Sequence, residues 1–471
     1  MVGFRLAAVG VGLLPFLAAE LILRCARITP APTIDPFVTF SRIEPLFVPD
    51  ASGQRYETNP EKLTWFRSQS FAIPKPAGTF RIFCLGGSTV QGRPYSVETA
   101  FPTWLQLSVQ AARPETHWEV INCGGISYAS YRLVPILREV LNYEPDLVIL
   151  CTGHNEFLED RSYAGIRKMP PFLVGLHRAL LHSRCYSLAY HAMQQRSLRP
   201  VRRANRLDPE VRARLDVENG LARYHRDEPW RQGVMGHFAA NLETLICMAR
   251  QGGVPLILVG PASNLKDCAP FKSEFAAGTS AADRQVIADR LDRAERTPWS
   301  DPYAKLDLLQ QAAAIDGHHA GILFRVGRCY LRLGHTTGAR RWFIRAKDED
   351  LCPLRITEAM REALHEAAER YDVPFLNAHE LFEQATEDGI CGHEWLLDHV
   401  HPTVEGPPAH RRCLIRSSVR GRLGGQARRV ACPKGHPVGG PSGDPQRGLL
   451  GPRRPPSRTI AALDGPGARP A

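Results

Sequence analysis

The sequence has no Cys-x-x-Cys pair, although it holds 12 cysteines in 471 residues. That absence excludes zinc-ribbon and dithiol redox patterns, and the spacings do not read as a disulfide framework. Cys84, Cys123 and Cys151 lie in or beside apolar runs, where cysteine behaves as a small buried hydrophobe. A basic excess is also missing from most of the chain. The formal charge is +11, yet residues 407–471 hold 13 of the 59 Lys and Arg and 2 of the 48 Asp and Glu, leaving 46 of each sign in residues 1–406. With no zinc-finger spacing and no basic region with heptads, nothing points to nucleic acid. The 44% hydrophobic content is ordinary for a globular protein.

Long hydrophobic runs are scarce. Residues 6–23 form an apolar stretch of 18 residues, broken by Pro15 and Glu20 and flanked by Arg5, Arg24 and Arg27. That length is near the lower limit for a membrane span. Three assignments compete: an uncleaved anchor, a cleaved signal peptide and a buried helix. No convincing Ala-x-Ala site precedes the body, and Cys25 follows Leu-Arg, a poor lipoprotein signal. The positive flanks at the extreme N-terminus favour a single-pass anchor within residues 1–28. Residues 29–77, Pro-rich and polar, read as an extended leader.

From Phe80 a regular rhythm begins. Apolar runs that break at glycine, as in Phe80–Ser88 and Asp146–Asn155, are the pattern of strands buried on both faces. Strands are expected at 80–85, 118–122, 146–151, 254–260 and 373–376. Helices are expected near 100–112, 130–142, 234–251, 354–372 and 378–386. Strands alternating with helices imply an α/β fold with a parallel sheet covered on both faces. Residues 300–352 interrupt this rhythm. Leu323, Gly327, Tyr330, Gly334, Ala339, Phe343 and Ala346 match the helix–turn–helix spacing of a tetratricopeptide repeat, and 308–315 resembles the second helix of a preceding repeat. A helical insertion over 276–352 thus divides the α/β domain into 78–275 and 353–406. Residues 407–471 are dominated by Pro, Gly and Arg and cannot bury enough surface to fold alone. Two origins fit them: a disordered basic tail, or a C-terminus replaced by a frameshift or misread splice, since His401–Gly406 leads toward a helix that does not follow.

Three polar motifs stand where buried strands or their loops should end. Ser88 lies in Gly-Gly-Ser-Thr, Asn155 in Gly-His-Asn-Glu, and Asp398 and His401 in Asp-His-Val-His-Pro. In an open parallel sheet, ligands sit at the carboxyl ends of the strands. A serine hydroxyl needs an adjacent base before it attacks. Histidine is poised for that near neutral pH, and a carboxylate three residues earlier can fix its tautomer. An asparagine amide can face a developing oxyanion. Each motif alone also fits a turn or a helix cap. His393 and His399 lack an acidic residue three positions before them, and His154 and Glu156 read as loop residues.

Taken together and in this order, these motifs resemble the SGNH (GDSL-type) hydrolase superfamily, and more narrowly its membrane-anchored bacterial members with a tetratricopeptide-like insertion. The matching blocks are Gly86–Ser88, Asn122–Ser130, Gly153–Asn155 and Asp398–His401. The resemblance implies a flavodoxin-like three-layer sandwich. It makes Ser88 the nucleophile, His401 the base and Asp398 its orienter, with Asn155 and the backbone of Ser88 and Ser127 as oxyanion donors. It implies an esterase acting on a short acyl, such as acetyl, ester, without metal or organic cofactor. One alternative is transfer of an acyl group onto a cell-envelope polysaccharide by the same triad. A second is an interaction scaffold that binds a protein partner through the insertion. An anchored member would hold its catalytic domain outside the cytoplasm. Two departures stand out: Gly87 replaces the usual aspartate before the serine, and Ser127 occupies a position where the family has glycine.

Overall fold

The computed structural model describes residues 15–26, 35, 37–163, 183–186, 188, 189, 192 and 205–404. The expected tail and residues 1–14, 27 and 28 of the expected anchor segment lie outside these residues. Among the described residues no helix is long and apolar enough to cross a membrane.

Five strands form the central sheet: β1 (Thr79–Gly86), β2 (His117–Gly124), β3 (Leu147–Cys151), β4 (Leu256–Gly260) and β5 (Phe375–Asn377). All pair in parallel, in the order β5-β4-β3-β1-β2. Read from the other edge this is 2-1-3-4-5, the doubly wound flavodoxin-like order. The strands alternate with period two, and both sets of side chains are buried. Phe83, Leu85, Val148, Leu150 and Leu258 face one layer of helices. Ile82, Cys84, Ile149, Cys151 and Ile257 face the other. The first layer contains α3 (Ser130–Val140), α4 (Glu228–Gln251) and α9 (Glu358–Arg370). The second contains the short α1 (Ser88–Gln91) and α2 (Phe101–Ala112), through Val90 and Leu105. The fold is therefore the three-layer α/β sandwich that the apolar runs imply.

The leader is more structured than its composition suggests. Phe47–Pro49, Arg55–Thr58 and Ser70–Ala72 form a small antiparallel sheet. It buries Leu46, Phe47, Phe66 and Phe71 in the same core as β1 and β3.

The insertion consists of four helices: α5 (Ala281–Arg296), α6 (Pro302–Ile315), α7 (Ala320–Arg332) and α8 (Thr336–Asp348). Ser280 and Asp301 cap the first two by accepting from the amides of Asp283 and Ala304. Gly327 allows α7 to approach α8, since a Cβ there would lie 2.8 Å from the Phe343 ring. The insertion also packs on the α/β unit. Leu323, Phe324 and Phe343 share a cluster with Leu265, which follows β4, and Ile390, which precedes Asp398. Among the described residues the last helix, α10 (Ala378–Gln384), follows β5.

Candidate active site

The sheet register brings the motifs to one rim. Gly86, at the end of β1, lies opposite both Gly124 of β2 and Cys151 of β3. Ser88, Ser127 and Asn155 follow these strand ends within four residues, at the carboxyl edge where the strand order reverses.

Asp398 and His401 arrive from far along the chain on a tight turn. The Leu397 amide donates to the His401 carbonyl at 2.8 Å, and Leu396 bridges to Pro402. Inside this turn Asp398 Oδ1 accepts from the amides of Val400 (2.9 Å) and His401 (2.8 Å). Its other oxygen lies 2.7 Å from His401 Nδ1, and His401 Nε2 lies 2.8 Å from Ser88 Oγ. An ionised carboxylate only accepts, so Nδ1 carries the proton and Nε2 is left to accept from the serine hydroxyl. Burial works to raise the Asp398 pKa, but the His401 ring and the two amides outweigh it and hold the group well below the usual carboxylate range. Asp398 thus stays ionised and holds the imidazole in the tautomer a base requires.

Donors for an oxyanion stand on the other side of Ser88. Ser88 opens α1, so its own N–H has no acceptor within the helix. Asn155 Nδ2 donates one hydrogen to the Tyr128 carbonyl at 3.0 Å, leaving its second hydrogen available. The same nitrogen lies over Gly87, 2.6 Å from where a Cβ would sit. Glycine at position 87 therefore lets the asparagine amide come alongside the nucleophile. Ser127 lies in the Gly125–Tyr128 turn, with φ of 62°. That turn carries the carbonyl that Asn155 grips. Ser127 supplies its left-handed corner, and no described hydrogen bond ties its amide to Ser88 or Asn155.

Other residues of the site were not recognisable in the sequence. His154 and Glu156 lie in the loop after β3, as expected, but both are buried. His154 Nδ1 accepts from the Ile356 amide at 3.1 Å. Burial, with the nearby charges of His399, Arg361 and His401, pushes its pKa well down, so it stays neutral. Glu156 accepts from the amide and hydroxyl of Ser130, fixing the start of α3 behind Asn155. Asn264, fully buried after β4, donates to the Asp398 carbonyl at 3.0 Å, and its own amide donates to the His399 carbonyl at 2.9 Å. Arg355, just beyond the insertion, donates to the Asn264 and Cys268 carbonyls. These contacts join distant segments, so no local spacing reveals them.

No family model matches the sequence, and no curated protein matches it. Solved structures do. A lipase/acylhydrolase from Enterococcus faecalis is 13% identical, the match covering 72% of this chain and 94% of that one with a TM-score of 0.30. A GDSL-like lipase from Bacteroides thetaiotaomicron is 11% identical, over 72% and 87%, with a TM-score of 0.27. An alpha/beta hydrolase enzyme from the Lake Arreo metagenome is 9% identical, over 72% and 93%, with a TM-score of 0.32.

Proposed function

We propose that the protein is a serine esterase acting on short acyl esters. The observation that carries this is the unbroken relay from Asp398 through His401 to Ser88, with two hydrogen bonds of 2.7 and 2.8 Å. Ser88 Oγ attacks the ester carbonyl carbon while its proton passes to His401 Nε2. The carbonyl oxygen becomes an oxyanion, held by the Ser88 N–H and the free hydrogen of Asn155 Nδ2. The tetrahedral intermediate collapses, the C–O bond to the alcohol breaks, and His401 returns the proton to the departing oxygen. A water molecule then attacks the acyl-serine with His401 again as base, releasing the acid and restoring Ser88.

Hydrolysis of p-nitrophenyl acetate by the full chain, beside Ser88→Ala, tests this. Activity in the wild type and none above background in a folded Ser88→Ala supports the proposal. Equal activity in both contradicts it. A sugar hydroxyl can replace water as the acyl acceptor without any change to the triad, so labelled acetyl donor with and without glycan separates hydrolysis from transfer. Residues 1–28 as a membrane anchor, an extracytoplasmic catalytic domain and a tetratricopeptide-like insertion that engages a protein partner complete the proposal. Membrane fractionation with protease accessibility tests the placement.

A further inference from the structure

The base defines which side of the site the alcohol occupies. His401 Nε2 must reach both the Ser88 hydroxyl and the departing alcohol oxygen, whereas the carbonyl oxygen turns toward the Ser88 amide and Asn155. Groups beside His401 and away from Asn155 therefore flank the alcohol. Two rings adjoin His401 in succession. His399 meets the His401 ring edge-on, at 5.8 Å between centroids and 85°. Phe271 meets the His399 ring in the same way, at 5.2 Å and 86°. The two contacts make a row of rings that begins at the catalytic histidine.

Both rings are held in place yet partly open. Phe271 is 38% exposed. Asp350, at the end of the insertion, accepts from the amides of Phe271 (2.8 Å) and Lys272 (3.0 Å), and the Leu351 amide donates back to the Lys272 carbonyl. The His399 side chain is 22% exposed. Its Nδ1 comes only to 3.5 Å from Asp398 Oδ1, an oxygen already shared by two amides, and Nε2 meets no hydrogen-bonding group among the described residues. Burial, His401 and Arg355 bring the His399 pKa down to about 4 against the pull of Asp398. The ring is therefore neutral at pH 7 and can both donate to and accept from a hydroxyl. Arg355 donates through Nη1 to two backbone carbonyls, and its Nη2 lies 3.6 Å from the Asp350 carboxylate, so the row does not offer an anionic alcohol a free cation.

Resting on the esterase reading, we infer that His399 and Phe271 form a subsite for the alcohol half of the substrate, a neutral sugar. A pyranose presents C–H groups on one face, suited to the Phe271 ring, and hydroxyls at its edge, suited to His399. The insertion thereby contributes to substrate choice, since Asp350 holds Phe271.

The test keeps the acyl group constant and changes the alcohol. Methyl 6-O-acetyl-glucopyranoside and ethyl acetate are compared as substrates of wild type, Phe271→Ala, Phe271→Leu and His399→Ala, each with its thermal midpoint measured. The ratio of kcat/KM for the sugar ester over ethyl acetate is expected to drop about tenfold or more in Phe271→Ala and His399→Ala, because each removes a contact made only to the sugar. A ratio unchanged in folded variants overturns the subsite while leaving the esterase intact. If His399→Ala lowers both esters equally, the residue acts on the triad and not on the alcohol, which also overturns it. If Phe271→Ala does not fold, the Phe271→Leu ratio decides. A wild type that cleaves neither ester contradicts the esterase reading and the subsite with it.

Discussion

At the scale of single residues, the account rests on where hydrogens point. Asn155 offers one amide hydrogen to the Tyr128 carbonyl and one to the reacting centre. Asn155→Ala should lower kcat by about 10²–10³-fold with KM little changed, as expected for a donor used only in the transition state. Steady-state kinetics on any accepted ester checks this, and a rise in KM alone would assign Asn155 to ground-state binding. Gly87→Ala probes the same donor sterically. Its new methyl would meet Asn155 Nδ2 at 2.6 Å, so kcat should fall by about tenfold or more through a displaced donor, although Asn155 itself remains. Ser88, Asn155, Asp398 and His401 were legible because each lies in a short motif beside a strand end or in a turn. Asp398 and His401 are only three residues apart, so one turn positions both. Ser127 was singled out as a backbone oxyanion donor at a position where the resemblance expects glycine, but its φ of 62° belongs to the loop conformation and not to residue spacing. His154, Glu156 and Asn264 were not legible, because their roles come from burial against residues far away in the chain.

At the scale of elements, the loop after β4 is the part that holds the catalytic turn. Asn264 is bound to the backbone of Asp398 and His399, while its own carbonyl accepts from Arg355. Asn264→Ala leaves the Asp398 carbonyl without this donor and should cost about 1–3 kcal/mol of stability. As a positioning residue it should also lower kcat more than it raises KM, because the loosened turn displaces His401 from Ser88. A chemical denaturation curve measured beside the kinetics checks both parts. Loss of stability with kcat intact would make Asn264 purely structural. The β strands were legible from their uninterrupted apolar runs, with boundaries close to those observed. The leader sheet was not, since its strands Phe47–Pro49, Arg55–Thr58 and Ser70–Ala72 have three or four residues each and include a proline, too short for a period-two signal. Helix α5 falls inside the helical insertion expected over 276–352, but its own bounds were not legible, for a different reason. Over Ala281–Arg296 only Ile287 and Ala294 are buried, so its apolar stripe is narrow and charge dominates the segment.

For the molecule as a whole, buried neutral histidines set the response to acid. His379 is brought down to about 4 by burial and by Arg361, against the pull of Glu383, and His399 likewise sits at about 4. His154 is also well below 6.5. In the unfolded chain all three take up protons near 6.5, so between 6.5 and about 4 the unfolded state binds more protons than the folded one. Stability conferred by their neutrality is complete above 6.5 and falls as pH drops, by about 1.4 kcal/mol per pH unit for each histidine charged only in the unfolded chain. Glu383, held near 2 by His379 and Arg340 against its own burial, adds a loss as pH falls below 4.5. Thermal midpoints between pH 7 and 4 should therefore decline steadily, and His379→Gln should flatten the decline. A flat wild-type profile would show that these histidines are not neutral in the fold.

The central claim is that Ser88 is a nucleophile activated by His401. Labelling the full chain with a fluorophosphonate, followed by peptide mass spectrometry, tests it most directly, because the reagent bonds to an activated serine without requiring knowledge of the substrate. The account predicts a phosphonyl adduct on Ser88, slowed by several orders of magnitude in His401→Ala. A folded protein that reacts at another residue, or at Ser88 equally fast without His401, would contradict it.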